Sequence, residues 1–207
     1  GGTYLEETGK ILKTSNAGLS WDPVSVGNNQ NLRSIVVKNE LSILVGYSGT
    51  IVRSTNSGVN WNNISNRIGN NNLSDVNFIE NTGYIVGQNS TIMKTTNFGS
   101  TWTTTNLGAN YQFNSVDFVD LNTGFIAGGY VYTFPIIPYP TFFYTKIYKT
   151  VNGGQNWNLI IGNNSEQGYG NKVLFVNSNI GFLGLRTGML KTTNLGLNWN
   201  IVINNYN

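Results

Sequence analysis

The sequence contains neither cysteine nor histidine, and only 10% of its 207 residues are charged. Without those two residue types the chain has no thiolate or imidazole for a Ser-His-Asp or Cys-His nucleophile. It also lacks the usual ligands of zinc, haem and iron–sulfur sites. We therefore expect no cofactor and no metal. No apolar run approaches the roughly 20 residues that a membrane span requires.

The charge balance is also weak, with a formal net charge of +3 from 12 basic and 9 acidic residues. The Lys and Arg residues are not clustered, and the net positive charge is too small to indicate a nucleic-acid partner. Asn, Thr, Ser and Gly supply the polarity instead. With 39% hydrophobic residues, the chain can still bury a sizeable core.

A nine-residue pattern occurs five times: a basic residue, Ser or Thr, any residue, Asn, any residue, Gly, any residue, a small polar residue and Trp. Successive Trp residues are 40, 41, 55 and 42 positions apart, close to the roughly 40–45 residues of a four-stranded propeller blade. The Asn, Gly and Trp of the copies are Asn16, Gly18, Trp21, Asn56, Gly58, Trp61, Asn97, Gly99, Trp102, Asn152, Gly154, Trp157, Asn194, Gly196 and Trp199.

Each complete unit contains four short β-branched or aromatic segments bounded by Asn and Gly, and none shows a sustained helical period. The sequence therefore predicts an all-β fold, a β-propeller of four-stranded antiparallel blades with almost no helix. We place all 207 residues in one propeller domain or propeller fragment. Its repeats span approximately residues 1–27, 28–69, 70–109, 110–165 and 166–207.

The repeated motif is interpreted as scaffold, because a catalytic site is usually unique. It lies between the third and fourth strands, where the Asn oxygen can accept backbone N–H groups and Gly tolerates a positive φ. A neutral Asn has no carboxylate to titrate, so these turns should lack an acid-sensitive contribution to stability. We expect the five Trp to be largely buried at equivalent places. We expect the basic residue to be a solvated strand residue.

These residues resemble the Asp-box, or BNR, repeat, with Asn in place of Asp in all five copies. A longer pattern is more specific: Val76 and Phe78, then Thr82–Gly87, then Ile92–Asn97, then Trp102. It resembles the photosystem II stability/assembly factor-like propellers over nearly the whole chain. The resemblance implies a propeller fold.

What the resemblance implies about function is broader. Plant and cyanobacterial members of that family assist photosystem assembly, and many bacterial relatives are secreted or surface proteins. The abundance of Asn is typical of an AT-rich bacterial genome. We therefore predict a non-enzymatic binding or assembly scaffold, exported from a bacterium and secreted, periplasmic or at the cell surface. Its partner is expected to be a protein or a second copy of the chain.

The first repeat is shorter than the others. Thr3–Glu6 aligns with a second strand, so the innermost strand of that unit is missing from the sequence. The chain also opens without Met. We expect a piece of a larger propeller with five blades visible; the alternative is an unusual closed ring of five.

Sialidases and endoglucanases also carry Asp boxes, so a glycoside hydrolase is the alternative function. A two-carboxylate mechanism needs a carboxylate pair roughly 5–10 Å apart, for which Asp75 and Asp117 on innermost strands are the candidates. They occupy different positions of the repeat, Asp75 aligning with Ser115 and Asp117 with Asn77. Ordinary strand polarity explains them as well, and we assign no catalytic residue.

One insertion breaks the repeat, adding about 14 apolar and aromatic residues to the fourth unit. Because Pro135, Pro138 and Pro140 remove backbone donors, we expect its middle to be extended or looped. Exposed aromatics of this density indicate an interaction surface. Packing on its own blade is the alternative, and stacking on sugars would make the domain a carbohydrate-binding module. The predicted partner-contacting residues are Tyr132, Phe134, Tyr139, Phe142 and Phe143.

Overall fold

The structure is a computed structural model that describes residues 10–27, 30–65, 69–133, 141–162 and 168–204. Within these ranges the chain is built from strands, with a single 3-10 turn at Tyr47–Gly49. The predicted all-β fold is confirmed. Four antiparallel four-stranded sheets form the blades of a β-propeller, and a separate two-stranded sheet belongs to the first repeat.

Strands are numbered along the chain, and blades carry the number of their repeat. The first repeat and blades 2 to 5 contain, in order, the following strands: β1 (Ile11–Lys13), β2 (Asp22–Val24); β3 (Leu32–Lys38), β4 (Leu41–Gly46), β5 (Ile51–Ser54), β6 (Asn62–Asn63); β7 (Leu73–Ile79), β8 (Thr82–Gly87), β9 (Thr91–Thr95), β10 (Thr103–Asn106); β11 (Gln112–Phe118), β12 (Gly124–Thr133), β13 (Thr141–Thr150), β14 (Asn158–Ile161); β15 (Gly170–Phe175), β16 (Gly181–Leu185), β17 (Gly188–Thr192), β18 (Asn200–Asn204).

Each blade is a meander in which sequential strands pair antiparallel. The first strand of every blade carries a β-bulge at the same place, before Ser34, Asp75, Ser115 and Lys172. These four residues are therefore equivalent, which agrees with the alignment of Asp75 with Ser115. Bulges re-aim the side chains that follow them, and here they precede the residues that meet between blades.

The second strands of blades 2 and 3 are buried along their whole length, because each pairs with a strand on both edges and packs against neighbouring elements on its faces. Every residue of β4 and of β8 is buried. Glycines in these strands make room for rings: a Cβ at Gly83 would overlap the ring of Phe78. The edge of Phe78 meets Trp102 at 5.9 Å between ring centroids, so the motif Trp closes the blade over the inner strand.

The core lies between blades rather than within them. Leu41 and Ile43 of blade 2 pack with Val76 and Phe78 of blade 3 in one apolar cluster. At each complete junction the first strand of a blade contacts the first and second strands of the blade before it. A blade's inner strand therefore depends on its predecessor for burial.

The motif Trp residues occupy equivalent places but are not all buried. Trp157 is buried, Trp61, Trp102 and Trp199 are half-buried, and Trp21 is 55% exposed. The expectation of general burial is thus wrong for Trp21. Only two strands of the first repeat lie in the described part of the chain, and they leave its ring uncovered. Thr3–Glu6 lies outside the described residues.

Candidate binding surface

The five turns share one hydrogen-bond network. In the third copy the Gly99 N–H donates to Thr95 Oγ1 at 3.1 Å, and the Thr101 N–H donates to Asn97 Oδ1 at 3.0 Å. The residue between Asn and Gly, Phe98, has φ +56 and Gly99 has φ +73. Asn and Gly therefore shape a tight turn, in which the Asn side chain is fully engaged and Gly takes part through its backbone N–H.

The basic residue of the motif is not a solvated strand residue; that expectation is wrong for four of the five copies. Lys94 Nζ donates to the carbonyl of Gly153, in the turn of the next blade, at 2.7 Å. Three other copies reach the next turn in the same way, at 2.6 to 2.9 Å: Lys13 to Ser57, Arg53 to Phe98 and Lys149 to Leu195. These basic residues therefore join each repeat to the next one through hydrogen bonds.

The inner strands are tied by Asp75, which is 5% exposed. Its carboxylate accepts hydrogen bonds from Ser34 Oγ at 2.8 Å and Ser115 Oγ at 3.0 Å, on the blades to either side. It also accepts the Val116 N–H and forms an ion pair of 2.7 Å with Lys172 of blade 5. Asp75 thus joins blades 2 to 5, and its lone pairs are occupied.

Asp117 lies on the inner strand of blade 4, two residues after Ser115, which is the equivalent of Asp75. It accepts from Asn77 Nδ2 at 3.1 Å and from the Phe175 N–H at 2.7 Å. Burial raises its pKa, although the Phe175 bond and the charge of Lys172 act in the opposite direction. Both candidate carboxylates therefore bridge blades, which accounts for them as structural residues.

The insertion forms an arm on blade 4, defined here as residues 129–133 and 141–145. β12 and β13 are ten residues each, and their ladder continues as far as Thr133 opposite Thr141. The strands thus extend regularly to the prolines. The looped middle that we predicted, with Phe134, Tyr139 and the three prolines, lies outside the described residues.

One face of the arm is a stack of tyrosines. Tyr130 pairs with Tyr144 across the ladder, and their rings stack at 4.5 Å. Tyr111, just before the inner strand of the same blade, stacks on Tyr130 at 5.7 Å. Lys146 Nζ lies 5.8 Å from the Tyr130 ring and donates to the Gly162 carbonyl. These contacts anchor the base of the arm to the propeller.

The other face of the arm turns towards blade 5. Phe143 meets Tyr169 edge-on at 6.5 Å, and the Arg186 guanidinium lies 4.4 Å from the centre of the Phe143 ring.

The aromatic side chains of the arm differ in exposure. Phe143 and Phe142 are half-buried, whereas Tyr132 is 46% exposed. Tyr132 and Phe142 pair across the ladder beyond the tyrosine stack. The outer part of the arm is therefore the accessible aromatic surface.

Sequence reasoning missed the residues that hold the arm: Tyr111, Tyr130, Tyr144, Lys146 and Arg186. The alternation of Tyr130 and Tyr132 was a usable signal, since residues two apart lie on one face of a strand. The contact of Tyr111 had no signal because it depends on the pairing of β11 with β12, and that of Arg186 had none because it depends on how blades 4 and 5 are placed.

A family model of photosynthesis system II assembly factor YCF48 matches residues 67–205, well over half of the chain. The chain belongs to this family. No curated protein sequence matches it. Among the described residues no helix is long and apolar enough to cross a membrane, and no group of three carboxylates could hold a metal.

Solved structures of family members have the same fold. YCF48 bound to D1 peptide is 21% identical, with a TM-score of 0.52, over 83% of this chain and 46% of that one. YCF48 from Cyanidioschyzon merolae is 17% identical, with a TM-score of 0.63, over 86% of this chain and 58% of that one. This chain thus spans only about half the length of these two relatives.

The same fold also occurs in enzymes. The GH74 enzyme of Niastella koreensis is 17% identical, with a TM-score of 0.69, over 94% of this chain and 34% of that one. At this identity the likeness concerns the fold alone. The family match favours a binding and assembly protein.

Proposed function

We propose that this chain is a non-enzymatic assembly scaffold, exported by a bacterium, that binds a protein partner through the arm of blade 4. The observation that carries the proposal is the arm itself. It is an extension that the other three four-stranded blades lack, and its outer part presents aromatic side chains. Insertions on one repeat commonly form a binding face.

The base and the outer part of the arm have different roles in this proposal. Tyr111, Tyr130 and Tyr144 stack on one another and hold the hairpin against the propeller. Tyr132 and Phe142 lie beyond this anchor, where a partner can cover them. Aromatic side chains are enriched among residues that dominate protein interfaces. A preorganised hairpin also loses little conformational entropy on binding.

The family supports the choice of a protein partner. A relative's structure is described as YCF48 bound to D1 peptide, so at least one member of the fold takes up a polypeptide. Export and bacterial origin rest on the resemblance to secreted bacterial members and on the abundance of Asn. Expression with the natural upstream sequence, followed by cell fractionation, tests export.

A glycoside hydrolase or carbohydrate-binding module is the second candidate, because GH74 enzymes share the fold and aromatic rings can stack on sugars. The carboxylates argue against hydrolysis. Asp75 is occupied by three hydrogen bonds and an ion pair, and Asp117 by two hydrogen bonds.

The test is a selection of peptides from a random display library on the immobilised chain, followed by Kd measurement for the selected peptides. We expect the double variant Tyr132→Ser/Phe142→Ser to weaken binding about tenfold or more, since two aromatic contacts are lost. The control Phe98→Ser removes an aromatic side chain, 51% exposed, from a turn away from the arm and should leave Kd unchanged.

Three results would refute the proposal, the third being the sugar binding described last. One is equal binding by the wild type and the arm variant, both shown to be folded by thermal melting. Another is turnover of any member of a polysaccharide panel, which would identify the chain as a glycosidase. Sugar binding without turnover, abolished by the same arm variant, would establish the carbohydrate-binding module instead.

A further inference from the structure

A crevice of about 850 Å³ lies between blades 2 and 3, both of which are complete. It is formed by the β3–β4 and β7–β8 turns together with the motif turns that follow β5 and β9. In an antiparallel meander these turns lie at one end of each blade, and the connection between the second and third strands lies at the other. The arm extends that second connection in blade 4, so the crevice and the arm are on opposite sides of the propeller.

Hydrogen bonds between turns hold the walls of the crevice in place. The Ser57 N–H donates to the Glu40 carbonyl at 2.9 Å, and the Phe98 N–H donates to the Asn81 carbonyl at 3.0 Å. Arg53 Nε donates to the Phe98 carbonyl at 2.9 Å and so ties the two blades together. The crevice is therefore preformed, which lowers the entropic cost of binding a ligand.

The next junction along the propeller shows which side chain can fill this place. Between blades 3 and 4 the Tyr84 hydroxyl and Lys94 Nζ both donate to the Gly153 carbonyl. Ile43 has the equivalent position in blade 2, since it pairs with Arg53 as Tyr84 pairs with Lys94. Ile43 has neither a ring nor a hydroxyl, so the group that closes one junction is lacking at the other.

Charges of both signs line the crevice. Lys38 and Arg53 supply positive charge, and Glu40 and Glu80 supply negative charge. These four side chains form no ion pair with one another. A ligand with a single charge would be attracted by one pair and repelled by the other. A ligand that carries both an ammonium and a carboxylate group can satisfy the two pairs together.

The crevice also has an apolar part. Leu41 and Phe98 line it, and the Phe98 side chain is 51% exposed. The volume lies within the roughly 300–1,000 Å³ that is typical of small-molecule sites. Size, apolar lining and mixed charge together favour a small zwitterion with apolar side chains.

We infer that this crevice binds a short apolar peptide whose two termini are both free. The terminal ammonium group lies towards Glu40 and Glu80. The terminal carboxylate lies towards Lys38 and Arg53, and hydrogen bonds between charged groups of this kind are stronger than those between neutral groups. The inference is independent of the arm and of the proposed function.

The probe is the dipeptide leucyl-leucine, titrated into the isotopically labelled 207-residue chain, with Kd taken from backbone amide chemical shifts. We expect saturable binding, with shifts concentrated at the amides of residues 38–41 and 80–82. N-acetyl-leucyl-leucine lacks the ammonium group and leucyl-leucine amide lacks the carboxylate. Each should bind about tenfold or more weakly than the free dipeptide.

Two variants should change which of these ligands is preferred. Glu40→Gln/Glu80→Gln should bind the N-acetyl form at least as tightly as the free dipeptide, because the carboxylates that attract the ammonium group are gone. Lys38→Met should reduce the preference for the free dipeptide over the amide. All three side chains are exposed, so melting curves should show both variants folded.

Asp22→Asn and Lys10→Met are the matched controls, because each removes an exposed charge outside the crevice. Both should keep the preferences of the wild type. The inference is overturned if leucyl-leucine shows no saturation up to its solubility limit, or if a blocked form binds the wild type as tightly as the free dipeptide. Unchanged preferences in the Glu40→Gln/Glu80→Gln variant would also overturn it, because a merely structural effect of the substitution would weaken all three ligands alike.

Discussion

Tyr84 shows how a single buried side chain serves two blades. It is 1% exposed, stacks on Phe118 of blade 4 at 3.7 Å, and donates from its hydroxyl to the Gly153 carbonyl at 2.9 Å. Burial raises its pKa from 10.0 to about 12. The folded protein therefore favours the neutral phenol, whereas the unfolded chain ionises near the ordinary pKa.

The sign of the resulting pH dependence follows from the raised pKa. Tyr84 contributes fully to stability below pH 10, and the contribution is lost as pH rises from 10 towards 12. We predict that Tyr84→Phe lowers the free energy of unfolding by about 1 kcal/mol at pH 8, through loss of one hydrogen bond. Urea unfolding should show that this deficit shrinks by pH 11; a deficit that is constant with pH would contradict the prediction.

At the scale of the elements, the basic residues of the repeated motif predict that two equivalent lysines contribute differently to the free energy of unfolding. Lys94 reaches the Gly153 carbonyl of the next blade, while Lys191, in the last blade, has no inter-blade bond within the described residues. Each lies 5.7 Å from a ring, Tyr84 or Phe182. Lys94→Met should cost about 1–2 kcal/mol of unfolding free energy.

Lys191→Met is the matched control for this comparison. It removes the same charge and the same type of ring contact but no bond between blades, so urea unfolding should change by less than about 0.5 kcal/mol. Equal losses in the two variants would mean that the charge or the ring contact, rather than the inter-blade hydrogen bond, is responsible.

At the scale of the whole molecule, the inner ring predicts that one carboxylate holds four blades together. Removing Asp75 leaves the Ser34 and Ser115 hydroxyls and the Val116 N–H without their acceptor. Asp75→Ala should lower the free energy of unfolding by about 2–4 kcal/mol. Hydrogen exchange at the Val116 amide should become faster.

Asp22→Ala provides the comparison, since Asp22 is an exposed carboxylate on β2. We expect it to change stability by less than about 0.5 kcal/mol. An equal effect of the two alanine variants would show that general loss of negative charge, and not the inter-blade contacts, sets the stability.

The four-stranded blades could be predicted from the repeat, because each turn is formed by residues that are close together in the sequence. Asn97 and Gly99 form their turn from contacts within a few residues, and short alternating segments on either side form strands. The arm was predicted as an insertion, but the regular ladder up to Thr133 was not. The prolines that argued against a ladder lie just beyond its end.

The amino-acid sequence by itself determined the strand order, the repeat, the turns and the equivalence of Asp75 with Ser115, since all of these depend on neighbours along the chain. Only the tertiary structure decided what crosses from blade to blade. The hydrogen bond of Lys94 and the contacts of Asp75 join residues far apart in sequence, and the exposure of Trp21 depends on which strands lie beside its ring. A local pattern carries no information about such pairs, because they meet only when blades are placed side by side.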